Sequence, residues 1–232
     1  MNSGPLLFLG VLFTLASSFW GLLLVPQLQL GRQEQVSIKP SGELYPPTRG
    51  GRAAQGAAVY RAQGCAECHT QQVRPKGEGV DYERAWGRRR SVAQDYIGDY
   101  PVLLGQQRVG PDLANIGVRS TDVATHLKHL YNPQLTAPGS MMPPYAYLFE
   151  KHTLTPGQQP SPDALPTDTS PGDEIVPRPE AQALVAYLLS LRADVPLFEA
   201  PFPMMPTNAA AIEGSATNAV PTNAAPPTPT AK

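Results

Sequence analysis

The sequence lacks an excess of charge of either sign. Its 18 Lys and Arg residues nearly balance 19 Asp and Glu residues, which leaves a formal net charge of −1. Domains that bind nucleic acid through phosphate contacts are normally strongly basic. We therefore expect no nucleic-acid partner for this chain.

Charged residues are also scarce overall, at 16% of the chain, whereas proline and glycine are abundant, with 27 and 20 residues. Proline and glycine at this frequency are typical of long irregular segments. The composition therefore predicts a modest folded core within a longer chain.

The N-terminal segment lacks charge altogether. Twenty residues from Leu6 to Val25 contain no charged side chain, and a helix of this length matches the hydrocarbon thickness of a bilayer. A cleaved signal peptide is the alternative, but it normally has a basic start and a shorter apolar stretch. The segment therefore predicts a transmembrane helix. The first basic residue, Arg32, follows the helix and by the positive-inside rule favours a cytoplasmic location for the rest of the chain.

Composition divides the chain into four parts. We expect an anchor at 1–30, an extended stalk at 31–52, a folded domain at 53–200 that contains a Pro-rich surface insertion at 152–179, and a disordered tail at 201–232.

Apolar residues at helical spacing predict three helices in the folded domain and an all-α fold with long loops. The first covers about 53–63, the second is capped by Ser120 or Thr121 and ends at Asn132, and the third covers 179–192.

Both cysteines of the chain, Cys65 and Cys68, lie in one segment, GCAECHT, directly before His69. A zinc site would need two further ligands, and His126 and His129 have the wrong spacing for a zinc finger. A thioredoxin-like dithiol would need a βαβ context, which the sequence does not predict.

The pattern CxxCH is instead typical of one covalently attached c-type haem, with Cys65 and Cys68 as thioether sites and His69 as an iron ligand. Such haem is attached outside the cytoplasm. This outweighs the positive-inside argument and predicts a cytoplasmic N-terminus with the haem domain in the periplasm.

A methionine as the sixth iron ligand would make the haem an electron carrier, whereas an open position would make it a sensor or an enzyme. Of the five methionines, Met141 and Met142 are the candidates, and the following prolines favour Met142. Met204 and Met205 lie at the edge of the predicted tail.

Three further residues are candidates for contacts around the haem. Pro111 can offer its carbonyl to the His69 ring, although GPDL also fits an ordinary turn. Arg74 and Arg108 are candidates to pair with haem propionates, although arginines in loops are usually solvated.

The order of haem motif, helices and loops resembles class I cytochromes c, in which a helix like that of Gly56 and Tyr60 crosses a C-terminal helix like that of Tyr187. Residues of about 5 to 150 also resemble the mono-haem subunit II of cbb-type haem–copper oxidases. The motifs that carry this resemblance are GCAECHTQQVRP, GDYPVLLGQQRVGPDLANIG, HLYNP and MMPPYAYL, behind one N-terminal anchor.

This resemblance implies a subunit in the bacterial inner membrane, with His69 and Met142 as iron ligands. It implies transfer of single electrons from a donor c-type cytochrome, with a di-haem subunit as one candidate, to a polytopic catalytic subunit that reduces oxygen. The oxygen-reducing site would not be on this chain. A free-standing membrane-anchored cytochrome remains an alternative, which the predicted stalk favours, and an open-site haem sensor or enzyme is another.

Overall fold

The computed structural model describes residues 3–31, 33–165 and 172–203. Its N-terminal part is one continuous helix from Gly4 to Leu30, 27 residues long, which by length and composition is able to cross a membrane. It comprises α1 (Gly4–Phe19), a π-helical turn (Trp20–Leu24) and α2 (Val25–Leu30). Pro26 has no N–H to donate to the preceding turn, and the wider turn before it accommodates that loss. The helix fits the predicted membrane anchor.

The segment predicted as an extended stalk contains a hairpin that packs on the folded domain. Strands β1 (Val36–Ile38) and β2 (Glu43–Tyr45) pair antiparallel, and Tyr45 is buried with Val92, Leu197 and Ala200. The expectation of an extended stalk is therefore wrong for this part of the chain. Strands of three residues are too short to show the alternating pattern from which a strand is predicted.

Three helices form the main core. They are α3 (Gly51–Ala62), α5 (Val123–Tyr131) and α6 (Pro179–Ser190), and the four-residue helix α4 (Ile116–Arg119) precedes α5. All three predicted helices are present, with ends that differ by a few residues. Asp122 caps α5 by accepting from the backbone N–H groups of Ala124 and Thr125, so the predicted caps one or two residues earlier are wrong.

The crossing of α3 and α6 depends on Gly56. A Cβ atom at this position would overlap the backbone carbonyl of Ala183 on α6. Beside the crossing, the rings of Tyr60 and Tyr187 meet edge to face, with centroids 5.3 Å apart. Because the two backbones approach so closely, the end of α3 has a fixed position relative to α6.

The predicted Pro-rich insertion is in part a second hairpin. Strands β3 (Phe149–Thr153) and β4 (Asp173–Pro177) pair antiparallel, and Leu165 and Ile175 are buried in the main core. The fold is thus helix-rich, as expected, and it also contains two small two-stranded sheets that the all-α expectation did not include. Residues 166–171 of this insertion lie outside the described residues, as do 204–232 of the predicted tail, which include Met204 and Met205.

A buried ion pair joins the first hairpin to the domain. Arg89, only 1% exposed, makes two hydrogen bonds of 3.0 and 2.6 Å to the carboxylate of Asp95, and the hydroxyl of Tyr45 donates to the same carboxylate at 2.7 Å. A buried charge is tolerated only when it is paired and hydrogen-bonded. Tyr45, at the end of β2, therefore supplies hydrogen bonds that the buried charges of Asp95 and Arg89 need.

We predict that Gly56→Ala destabilises the domain, because overpacking of a close helix crossing typically costs about 1–3 kcal/mol. The measurement is the free energy of unfolding from denaturant titration. The matched control is Gly51→Ala in the same helix, since a Cβ at Gly51 meets no atom within 4 Å. Equal stability of the two variants would contradict the close crossing.

Candidate functional site

The CxxCH segment begins directly after α3. Gly64 has a left-handed backbone (φ 68°), which ends the helix and starts a 3₁₀ turn over Cys65–Glu67. Cys65 is half-buried, Cys68 is exposed, and both thiols are free. Burial raises the pKa of Cys65 to about 11. The turn therefore presents two unpaired thiols, one against the core and one toward solvent, immediately before His69.

The imidazole of His69 is held by a backbone carbonyl. Its Nδ1 lies 2.8 Å from the carbonyl oxygen of Pro111, which leaves Nε2 as the nitrogen available to a metal. Burial lowers the pKa of His69, although the Pro111 carbonyl partly opposes this. The half-buried ring is thus favoured in its neutral, metal-binding form.

Two glycines allow the backbone to approach His69 closely. A Cβ at Gly110 would overlap the imidazole ring, and a Cβ at Gly105 would overlap the backbone carbonyl of His69. Gly105 also has a left-handed backbone, with φ at 80°. The segment that carries Pro111 therefore packs directly against both the ring and the backbone of His69.

A buried carboxylate fixes this arrangement from behind. Asp112 accepts hydrogen bonds from the Thr70 hydroxyl at 2.6 Å and from the N–H groups of Gln72 and Ala114 at 2.7 and 2.9 Å. Thr70 follows His69 in the chain, and Asp112 follows Pro111. The carboxylate therefore ties together the two segments whose backbone and ring form the His69 hydrogen bond.

The predicted propionate partners, Arg74 and Arg108, both bind Asp81. Their guanidinium groups lie 2.9 and 2.6 Å from the same oxygen of this fully buried carboxylate, and Arg108 also donates to Thr70 at 2.9 Å. Burial by itself would raise the pKa of Asp81, but the two arginines hold it at about 2. Since the ordinary pKa is 3.8, this carboxyl stabilises the fold above about pH 4, and the contribution is lost as the pH falls toward 2. The pairing of these arginines with propionates stays a prediction.

The methionine loop reaches the cysteine segment. Met141 is 79% exposed, whereas Met142 is half-buried against the main core. The N–H of Tyr145 donates to the Leu130 carbonyl of α5 at 2.9 Å, and the Tyr145 hydroxyl interacts with Cys65. The loop is therefore hydrogen-bonded to α5 and lies beside the CxxCH turn, with Met142 and not Met141 facing the interior.

The histidines weighed for a zinc site make local contacts instead. His126 Nε2 lies 2.9 Å from the Ser120 carbonyl oxygen, and His129 Nδ1 contacts the Thr136 hydroxyl. Within the described ranges, no three His, Cys, Asp or Glu side chains are grouped as metal ligands.

Comparison with models of known protein families gives a match. Residues 6–164 match the family described as "Cytochrome C oxidase, mono-heme subunit/FixO", which is well over half of the chain. The chain belongs to this family, the mono-haem subunits of cbb3-type oxidases. A comparison with curated proteins found no match. The match ends at residue 164, before α6 begins, so α6 and the segment that follows α6 lie outside the matched region.

The site is suited to the single haem of a FixO-type subunit. Two free thiols three residues apart, a neutral imidazole with Nδ1 already bonded, and a half-buried thioether on a neighbouring loop are the side chains that such a group uses. The backbone cradle of Gly105 and Gly110 leaves no room for a side chain next to His69. The residue types and their surroundings therefore fit the cofactor of the family.

Four residues that shape this site were not predicted from the sequence. Gly105 and Gly110 make close approaches that only a three-dimensional structure shows, although Gly110 was part of the GPDL segment. Asp112 was missed because an aspartate is normally expected at the surface. Tyr145 lies in the predicted methionine loop, but nothing in the local sequence indicates its contact with Cys65.

We predict that Gly110→Ala displaces the His69 ring, because the added Cβ would occupy its position. The variant should carry less haem per chain and unfold with a free energy lower by about 1–3 kcal/mol. The measurements are the haem content from the reduced absorption spectrum and the denaturant midpoint.

Gly98→Ala is the matched control, since Gly98 lies in the same long loop and a Cβ there meets no atom within 4 Å. The close approach at Gly110 is refuted if both variants retain the haem content and stability of the unmodified chain.

Proposed function

We propose that this FixO-type subunit is a membrane-anchored c-type cytochrome that relays single electrons. It receives them from a donor c-type cytochrome, with a di-haem subunit as the candidate, and passes them to the polytopic haem–copper subunit that reduces oxygen. The haem is joined through Cys65 and Cys68, and it supplies an iron that changes between two oxidation states. In this proposal the oxygen-reducing site lies on that polytopic subunit and not on this chain.

The observation that carries this proposal is the hydrogen bond of 2.8 Å from His69 to the Pro111 carbonyl, in the CxxCH segment of a chain of this family. This hydrogen bond fixes the direction of Nε2 on a neutral imidazole. The buried hydrogen bonds of Asp112 hold the Pro111 segment in place, so that the direction of Nε2 is maintained. An electron carrier needs the same ligand geometry in both redox states, and a rigid histidine serves this need.

Met142 is the proposed sixth ligand. It is the half-buried member of the methionine pair, and the loop that carries it contacts the cysteine turn through Tyr145. A thioether ligand raises the reduction potential and fills the last position on the iron. This supports an electron carrier over the alternative of a sensor or an enzyme with an open position.

The proposed domain is a class I cytochrome c at 53–200. Its support is the crossing of α3 and α6 at Gly56, together with the Tyr60–Tyr187 ring pair beside it. Since covalent haem is attached outside the cytoplasm, we place this domain in the periplasm and the N-terminus in the cytoplasm of a bacterial inner membrane. The Arg74 and Arg108 side chains are proposed to face the propionates while they share Asp81.

The folded linker favours the oxidase subunit over a free-standing carrier. The predicted long stalk was the main support for a free carrier, but the Glu34 carbonyl already accepts a hydrogen bond of 2.7 Å from Gln94 of the domain. Only four chain steps separate Glu34 from Leu30, the end of the membrane helix, and they span at most about 14 Å. A haem domain held this close to the membrane is suited to one adjacent membrane partner.

We predict that the chain co-purifies with a large polytopic subunit that contains b-type haem. The experiment isolates the tagged full chain from its native membranes in mild detergent and records haem spectra and subunit masses. A tagged single-span protein of unrelated sequence serves as the control. Recovery of the chain as a lone cytochrome would reject the oxidase assembly and favour the free carrier.

We predict that Met142→Ala lowers the reduction potential and allows carbon monoxide to bind the reduced iron, because the thioether no longer fills the sixth position. Axial ligands set the reduction potential of haem over a range of about 0.8 V, so the shift in potential is large enough to measure by redox titration. Met141→Ala is the matched control and should change neither property. If Met141→Ala gives the effect and Met142→Ala does not, the assignment of the ligand is reversed.

A further inference from the structure

Phe198 is a fully exposed aromatic residue at the tip of a turn. The turn is closed by paired backbone hydrogen bonds between Leu197 and Ala200, at 3.3 and 3.1 Å. Both of these flanking residues are buried, in the small core that also contains Tyr45 and Val92. Phe198 therefore projects from a fixed base.

Side chains of the arginine-rich segment hold the same turn. Arg90 donates to the Glu199 carbonyl at 3.0 Å, and the buried Arg89 donates to the Val195 carbonyl just before the turn. Phe198 also shares a cleft with the exposed apolar side chains of Val36 and Pro196, and a group of exposed apolar residues, unlike a single one, is typical of a contact site for another surface. The turn lies outside residues 6–164, the segment that matches the family, so the family match does not assign it a role.

The position of this turn relative to the membrane helix is restricted by the linker. A cleft of about 480 Å³ is lined by Phe198, by Val36 of β1 and by Gln94. Gln94 is also the residue that binds the Glu34 carbonyl, four chain steps after the membrane helix ends at Leu30. Because four steps span at most about 14 Å, this face of the domain remains near the point where the helix leaves the membrane.

The length of the helix places that point in the headgroup region. A helix of 27 residues is about 40 Å long, whereas the hydrocarbon core is about 30 Å thick and the bilayer with its interfacial regions about 40–45 Å. Phe, like Trp and Leu, is typical of the apolar faces that interfacial segments bury in this zone of the membrane. An exposed phenylalanine at this turn is therefore compatible with the interfacial region of the bilayer.

The two charged side chains that line the cleft are opposite in sign. Lys39 provides positive charge, and Glu199 provides negative charge. An occupant of strong charge is therefore not favoured, and an uncharged apolar one is. The interfacial layer of a bilayer has this character without any requirement for anionic lipid.

We propose that the Phe198 turn rests on the bilayer, with the phenyl ring in the interfacial layer, and so gives the domain a second contact with the membrane. The anchor helix and this turn together would fix the tilt of the domain. The proposal requires the N-terminal helix to be in the membrane, but it does not depend on the electron-relay function.

The test replaces Phe198 with the photocrosslinking residue p-benzoylphenylalanine in the full, haem-loaded chain. Isolated membranes that contain the variant are irradiated, and mass spectrometry identifies the adduct at position 198. We expect lipid acyl or glycerol adducts at this site, with similar yield in vesicles of purely zwitterionic lipid, because the local charges balance.

The matched control carries the same crosslinker at Tyr147, an exposed aromatic whose hydroxyl contacts Gln63 next to the CxxCH turn. It should give several-fold less lipid adduct. An adduct at 198 to a polypeptide, no adduct, or lipid adducts equal at both positions would overturn the proposal. The haem spectrum and the unfolding midpoint establish that each variant is folded before irradiation.

Discussion

The close approach of α3 to α6 at Gly56 is the constraint on which the rest of the site depends. Because the two backbones touch there, the direction and end point of α3 are set by α6. The cysteine turn begins at Cys65, three residues after α3 ends at Ala62. If α3 lay farther from α6, Cys65 and His69 would both be displaced from the loops that contact them.

From this fixed start, buried polar groups determine the position of the histidine ring. Asp112 and Asp81 are both fully buried, and such carboxylates are tolerated only when hydrogen bonds and opposite charge satisfy them. Arg108 contacts both Asp81 and Thr70, so the same guanidinium neutralises one acid and supports the residue after His69. The His69 ring is therefore held in place by a network in which each buried charged or polar group has a hydrogen-bond partner within the network.

Local patterns predict part of this arrangement and not the rest. The three helices were found because their apolar spacing is visible in short windows, and the CxxCH motif carries its chemistry in five adjacent residues. The hairpin ending at Tyr45 was missed, because its stability comes from Arg89 and Asp95, more than forty residues away. Likewise, the half-burial that distinguishes Met142 from Met141 depends on tertiary packing.

The hairpin also changes the physical account of how the domain finds its partner. A flexible linker of 22 residues would let the haem sample a wide volume, and the effective concentration at any one acceptor would fall with linker length. Pairing of β1 with β2 and the bond from Gln94 to Glu34 reduce the free part to a few residues. With the N-terminal helix in a bilayer, the domain would lie close to the membrane, and its local concentration at a neighbouring membrane acceptor would be correspondingly high. For the proposed electron relay, this reduced reach would favour transfer within one assembly over exchange between separate complexes.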